Sequence, residues 1–217
     1  MVGAILAFVT AQFIAPDARV THRLDAVSTI VLSALSEMLV PLVVLIALPR
    51  VARFSLRDLG FVRPNLRAIG IALAGVASAV VLVNMGSALV SALTHTGEHS
   101  QQTAQIFMTL HVPWKIGLFA FFAAIFAPFV EETVFRLFAF NVGLRYGGFW
   151  VGAIVSSILF GLAHADLYNA LPLALVGIVL CGVYYTTRNA YASVIAHGTF
   201  NLLTLVVLEF FPKIAGG

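Results

Sequence analysis

Apolar residues in this chain come in long blocks rather than at the two-residue spacing of half-buried strands. Six blocks lie near 27–48, 69–93, 116–141, 149–164, 170–186 and 190–211, and polar residues gather mainly between them. About 20 consecutive apolar residues carry a helix across a bilayer, and a helix satisfies its own backbone where water is absent. Residues 1–15 form a weaker seventh block. About 14 apolar-rich residues precede Pro16, or roughly 21 Å of helix against a hydrocarbon core of about 30 Å. No Lys or Arg comes before that run, so it does not read as a cleaved signal peptide. The pattern predicts an all-α, polytopic transmembrane bundle of about seven helices. No repeat or low-complexity tract divides the chain, which reads as one integral membrane domain over 1–217.

Composition strengthens this reading: 61% of residues are hydrophobic and 10% charged, and the mean hydropathy is +1.03. Cys181 is the single cysteine, so no intrachain disulfide can form. The net charge of +3 and the pI of about 9.4 trace mostly to Arg50, Arg53, Arg57, Arg63 and Arg67, between the second and third blocks. A basic loop there fits the cytoplasmic face of a membrane and its anionic lipids rather than nucleic acid. With that loop inside, the 142–148 turn and Arg188 also fall inside, and the 94–115 loop falls outside. Arg19 and Arg23 run against this orientation. Trp114, Tyr146, Trp150 and Tyr191 lie near block ends, where interfacial aromatics belong. The partner read from composition is therefore membrane lipid; the oligomeric state is not legible.

Three polar clusters interrupt the apolar blocks. They are Glu131-Glu132-Thr133-Val134-Phe135-Arg136, Phe160-Gly161-Leu162-Ala163-His164, and His197-Gly198-Thr199-Phe200-Asn201. An ionisable side chain in hydrocarbon costs roughly 2.5–3.5 kcal/mol on insertion scales, so such groups point first to function. At 1.5 Å of rise per residue, Glu131 lies roughly 16 Å deep, His164 about 22 Å, His197 about 10 Å and Asn201 about 16 Å, which permits one shared site. Residues four apart share a helix face, which aligns His197 with Asn201, Phe160 with His164, and Glu132 with Arg136. Glu131 and Glu132 diverge by about 100° around the axis. Glu131 is thus expected to face the site while Glu132 pairs with Arg136. Pro128, one turn earlier, is expected to bend the helix and release a carbonyl.

Three chemistries suit such a set. In hydrolysis, Glu131 would take a proton from water held with His164, while His197 and Asn201 donate to an oxyanion. Alternatively, Glu131, His164 and His197 could be three ligands of a catalytic zinc, although the helix signature His-Glu-x-x-His is missing. Buried Glu and His groups also serve proton-coupled transport. Residue physics leaves hydrolysis and transport open.

The ordered set Glu-Glu-x-x-x-Arg, Phe-x-x-x-His and His-x-x-x-Asn over 131–201 resembles the CPBP family of intramembrane proteases. This group, also called the Abi or CAAX protease and bacteriocin-processing family, is related to type II CAAX prenyl endopeptidases. Leu56-Arg57-Asp58-Leu59-Gly60-Phe61 is similar to a basic loop of bacterial members, giving a family-like core of about 50–211. The resemblance implies an intramembrane endopeptidase, in a bacterial inner membrane, acting on a membrane-associated peptide. It implies Glu131 as the activating base, with Glu132 and Arg136 beside it. His164 would stand next to the water, and His197 and Asn201 would bind the oxyanion. No cofactor is required in the favoured mechanism, an amide being a poorer zinc ligand than oxyanion donor, although zinc is possible.

Other polar residues are read as structural. His95 and His99, with Glu98 between them and His111 nearby, occupy a polar loop. Asn84 is expected to satisfy a neighbouring helix and Asp166 to cap a helix end. Gly143-x-x-x-Gly147 falls in a turn, so close packing is not expected of it. Glu37 lies mid-block and is expected to face the interior, and Phe119, Phe121, Phe122, Phe126 and Phe129 crowd the approach to the glutamates.

Overall fold

The computed structural model describes residues 39–52, 55–95 and 102–211. The candidate at 1–15, the larger part of that at 27–48, Glu37, Glu98 and His99 lie outside the described residues. Those described build helices only: α1 Leu39–Ala52, α2 Leu66–Thr94, α3 Gln102–Met108, α4 Pro113–Phe121, α5 Ala127–Glu132, α6 Asn141–Ala163, α7 Leu167–Thr187 and α8 Ala190–Phe210. Four helical stretches among them are long and apolar enough to cross a membrane: Leu66–Thr94, Pro113–Ala163, Leu167–Thr187 and Ala190–Phe210. The all-α membrane bundle is therefore observed; the count of about seven goes beyond these four. The protein is an integral membrane protein.

The Pro113–Ala163 stretch reverses direction at Gly148, whose φ of 77° suits a residue without Cβ. The reversal falls in the 142–148 turn expected from the sequence. It brings the Phe149 ring to 5.9 Å from that of Phe140 and sets the backbones of Gly143 and Gly152 against each other. Gly143 thus serves close packing after all, across the reversal rather than along one helix.

Two π-helical segments, Phe122–Phe126 and Thr133–Phe140, bracket α5. The first has a cause in the sequence. Pro128 has no N–H to return to Ala124, and Ala127 N–H bonds Phe122 O, five residues back. The bend expected from Pro128 takes this form, and the glutamates sit between the two widened turns.

Along α2 the buried positions are Ala68, Ala72, Gly75, Val76, Ala79 and Gly86, a stripe of mostly small residues. Small side chains let helix backbones approach closely in lipid. The stripe packs on Val176, Leu180 and Val183 of α7 and on Ala192, Ala196 and Phe200 of α8. Leu73, Val81, Met85 and Leu89 point outward, as lipid-facing residues do. Asn84 departs from expectation: its Nδ2 donates to Val80 O of its own helix at 2.7 Å. An exposed amide on α2 finds its nearest acceptor one turn back.

The helix ends are tied by hydrogen bonds. Asp166 caps α7, as predicted, accepting from Tyr168 N at 3.1 Å and Asn169 N at 3.2 Å. The loop Leu56–Val62 docks on the turn between α7 and α8. Ala190 N donates to Gly60 O at 2.9 Å and Asn189 Nδ2 to Val62 O at 2.9 Å. Tyr184 Oη donates to Leu59 O at 3.2 Å and accepts from Asn141 Nδ2 at 3.0 Å.

Candidate functional site

Glu132 ends α5 with 1% of its surface exposed, and Arg136, one turn later, has none. Arg136 Nη1 stands 3.1 Å from Glu132 Oε1, the pairing read from their spacing. The guanidinium carbon also lies 4.5 Å from the centre of the Phe160 ring, which the helix after Gly148 brings alongside. Two groups of α8 complete the carboxylate's surroundings. His197 Nδ1 is 3.0 Å from Glu132 Oε1, and the Ser193 hydroxyl donates to Oε2. Ser193 and His197 are four residues apart and so present one face.

This contact set fixes the imidazole. A guanidinium is protonated under all ordinary conditions, and Arg136 has Glu132 as its counter-ion, so the Glu132 carboxylate is an acceptor only. His197 Nδ1 therefore carries a proton and donates it, leaving Nε2 to point elsewhere. Nε2 faces Glu131, whose Oε2 is 3.7 Å away, too far for a direct hydrogen bond. That oxygen is buried and takes part in no hydrogen bond, while the Glu131 side chain as a whole is 23% exposed. The structure thus gives the adjacent carboxylates different surroundings, one enclosed and neutralised, the other accessible and free to accept. The 100° divergence along the helix anticipated this split.

Asn201 shares the face of His197, as expected, but its amide has a different partner. Nδ2 donates to Ala123 O at 2.8 Å. In an α-helix that carbonyl would accept from Ala127, whose N–H is turned to Phe122 O instead. Asn201 thereby satisfies an acceptor released by the π-helical segment. Gly198 lies against Ala124 O, the carbonyl that Pro128 cannot bond, so closely that a Cβ would clash with it. One N–H of the Asn201 amide remains for another acceptor.

His164 is placed at the C-terminal end of α6, exposed, with Nδ1 donating to Phe160 O at 2.9 Å. Its ring meets Phe160 edge-on at 5.0 Å, and Phe160 in turn meets His197 at 5.6 Å. Glu132, Arg136 and His197 are therefore linked through the Glu132 carboxylate and Glu131 stands beside His197, whereas His164 joins them only through an aromatic ring. For zinc, Glu131, His164 and His197 would have to converge. Among the described residues no three His, Cys, Asp or Glu side chains gather in a way that could hold a metal ion. Of the aromatic residues before the glutamates, Phe119 is buried, Phe121 exposed, and Phe129 packs on Phe61 at 6.1 Å. A surface cavity lined by Phe107, His111, Leu208 and Glu209 shares no residue with the cluster.

Residues 113–203 match the family described as type II CAAX prenyl endopeptidase Rce1-like. The matched segment contains the whole cluster, from Glu131 to Asn201. A Bacillus subtilis (strain 168) protein named "Putative membrane peptidase YdiL" is 27% identical over 111 residues, which make up 51% of this chain and 44% of that one. "Membrane-embedded CAAX protease MroQ" of Staphylococcus aureus (strain USA300) is 34% identical over 90 residues, 38% of this chain and 36% of that one. The chain thus matches less than half the length of these curated relatives. No solved structure matches it significantly.

Ser193 is the member of the cluster that sequence reasoning missed. Its one signal is its position, a small polar residue one turn before His197 in an apolar block.

Proposed function

We propose that the protein is an intramembrane endopeptidase of the CAAX protease type, hydrolysing a peptide bond in a membrane-associated substrate with water activated at Glu131. The observation that carries this reading is the buried, unbonded Glu131 Oε2 facing His197 Nε2 across 3.7 Å, within helices that cross the membrane. Residue physics left transport as a rival, and the Rce1-like segment weighs towards hydrolysis.

In this reading, Glu131 accepts a proton as the oxygen of water attacks the scissile carbonyl carbon. The carbonyl oxygen gains the negative charge, and the second N–H of Asn201 is free to donate to it, while His197, protonated at Nδ1, turns the Nε2 lone pair toward the attacking water. When the C–N bond breaks, the proton held by Glu131 passes to the leaving amine. Glu132 takes no proton in this scheme. Bound to Arg136 and His197, it orients the imidazole, as the carboxylate does in other carboxylate–histidine pairs. His164, at the open end of α6, meets the water or the substrate chain from the accessible side. A CAAX-like or small membrane peptide is the substrate class suggested by the relatives' names.

The test is cleavage of a membrane-anchored peptide library by the full chain in lipid nanodiscs, wild type against Glu131→Gln. Cleavage by wild type alone supports the reading. Ion or solute flux lost in the variant, with no cleavage product from either form, would replace it with transport.

A further inference from the structure

The Glu132 carboxylate stands between competing partners. His197 and Arg136 both approach Oε1, while Ser193 holds Oε2. Arg136 has donors to spare, since its Nε and Nη1 are buried and make no hydrogen bond of good geometry. A guanidinium prefers to grip a carboxylate through both oxygens. If Oε2 were free, rotation of Glu132 into that two-point grip would satisfy Arg136 and draw Oε1 away from the imidazole. Ser193 blocks this outcome. It is fully buried, and its other acceptor, Leu180 O at 3.5 Å, is a weaker pull than a carboxylate.

We propose that Ser193 is a positioning residue: its hydroxyl keeps Glu132 Oε2 off Arg136, and so keeps Oε1 on His197 Nδ1 and the imidazole turned with Nε2 toward Glu131. The kinetic part of this assignment rests on the peptidase reading; the structural part does not. Ser193 touches neither water nor substrate. It acts by deciding which of two neighbours holds the carboxylate.

The experiment uses full-length protein labelled with 15N-histidine in nanodiscs, as wild type, Ser193→Ala and Ser193→Thr. The His197 signals are assigned by their loss in His197→Gln. In wild type His197 should show a single form protonated at Nδ1, whereas in the alanine variant the two ring tautomers should mix. Threonine keeps the hydroxyl and should restore the single form. Where its extra methyl prevents folding, the alanine spectra decide alone. With a cleavable peptide, Ser193→Ala should lower kcat by about 10- to 100-fold, the range for losing a hydrogen bond to a charged group, with KM within about twofold. A single Nδ1–H form persisting in Ser193→Ala would overturn the proposal. So would a folded threonine variant whose tautomers mix as fully as those of alanine, since side-chain volume would then be the cause. If wild type cleaves nothing, the peptidase reading fails on its own, and the nitrogen spectra still judge Ser193.

Discussion

Inside the bundle, α5, α8 and the helix after Gly148 meet around charges: Glu132, Arg136 and His197, with Ser193 and the Phe160 ring closing the shell. At the helix ends, the loop Leu56–Val62 meets α6, α7 and the turn before α8 through Leu59 O, Gly60 O, Asn141, Tyr184 and Asn189, with no charged side chain in the bonds. Both networks engage α6 and α8. Neutral groups suffice for tying, because a carbonyl and a hydroxyl satisfy each other without a desolvated charge. Burying an ion pair costs several kcal/mol per ion before its attraction is counted, and well-packed apolar residues often do as well. The charged network thus exceeds what cohesion requires. Its excess is directional, ending on the buried, unbonded Glu131 oxygen.

The strongest way to break that contrast is Glu131→Gln. The carboxylate bonds to none of its neighbours, so the fold should be kept while turnover falls by about 10²–10⁴-fold, the range of a general base. Turnover of the membrane-anchored peptide and thermal unfolding, measured on the same preparation, check this. Unfolding of Glu131→Gln would make both glutamates structural and erase the distinction.

Arg136→Met should act in the opposite sense. Removing one partner of a buried pair leaves Glu132 uncompensated, a loss of about 3–5 kcal/mol of stability. The double variant Glu132→Gln/Arg136→Met should regain much of that stability without regaining turnover. Denaturation of the three proteins in mixed micelles checks this. A double variant no more stable than Arg136→Met would mean that the pair does more than cancel charge.

These partners were half legible in the sequence. Spacing alone separated Glu131 from Glu132 and paired the latter with Arg136, because a single helix fixes both relations. Rise per residue put Glu131 and His197 at compatible depths. What spacing could not supply was any contact between helices that depends on where each one ends or widens. The block 149–164 puts His164 at its last position, and α6 ends one residue earlier, at Ala163, with the ring exposed. The Ala123 carbonyl that takes one N–H of Asn201 becomes available only when the helix takes a π-helical turn. Pro128 signalled a bend but not which acceptor it would release. Ser193 looked like any small polar residue until the partner helix brought Glu132 against it.

Asn201→Ala sharpens the comparison from between the networks, since its amide holds backbone yet sits one turn from His197. Leaving Ala123 O without a donor should cost about 1–3 kcal/mol, and turnover should fall as the π-helical turn before α5 relaxes. Hydrogen exchange over residues 122–131 would report it. Unchanged exchange with lost turnover would assign Asn201 wholly to the chemistry. In the neutral network, Tyr184→Phe removes the donor to Leu59 O and should cost about 1 kcal/mol with turnover within about twofold. A large loss of turnover in Tyr184→Phe would show that the loop couples to the site.

The smallest effect belongs to the outer edge of that neutral network, where a charge does occur but in water. Asp58 Oδ2 accepts from Ser55 N at 2.7 Å and from Ser55 Oγ at 2.8 Å. The backbone N–H of Ser55, more than its hydroxyl, holds the Asp58 carboxyl below its ordinary value. Between the lowered value and that of an unfolded aspartate, about 3.9, the unfolded chain binds a proton that the folded loop does not. The contribution is therefore present above the ordinary range and lost as pH falls through the lowered one. Ser55 amide exchange should quicken as pH drops from about 6 to about 3 once the intrinsic pH dependence is removed, and in Asp58→Asn that extra dependence should vanish. Being solvated, this carboxylate can protonate without stranding a partner, so turnover of Asp58→Asn should match wild type. A turnover loss there comparable to that of Arg136→Met would mean that exposure does not separate the two kinds of charge in this molecule.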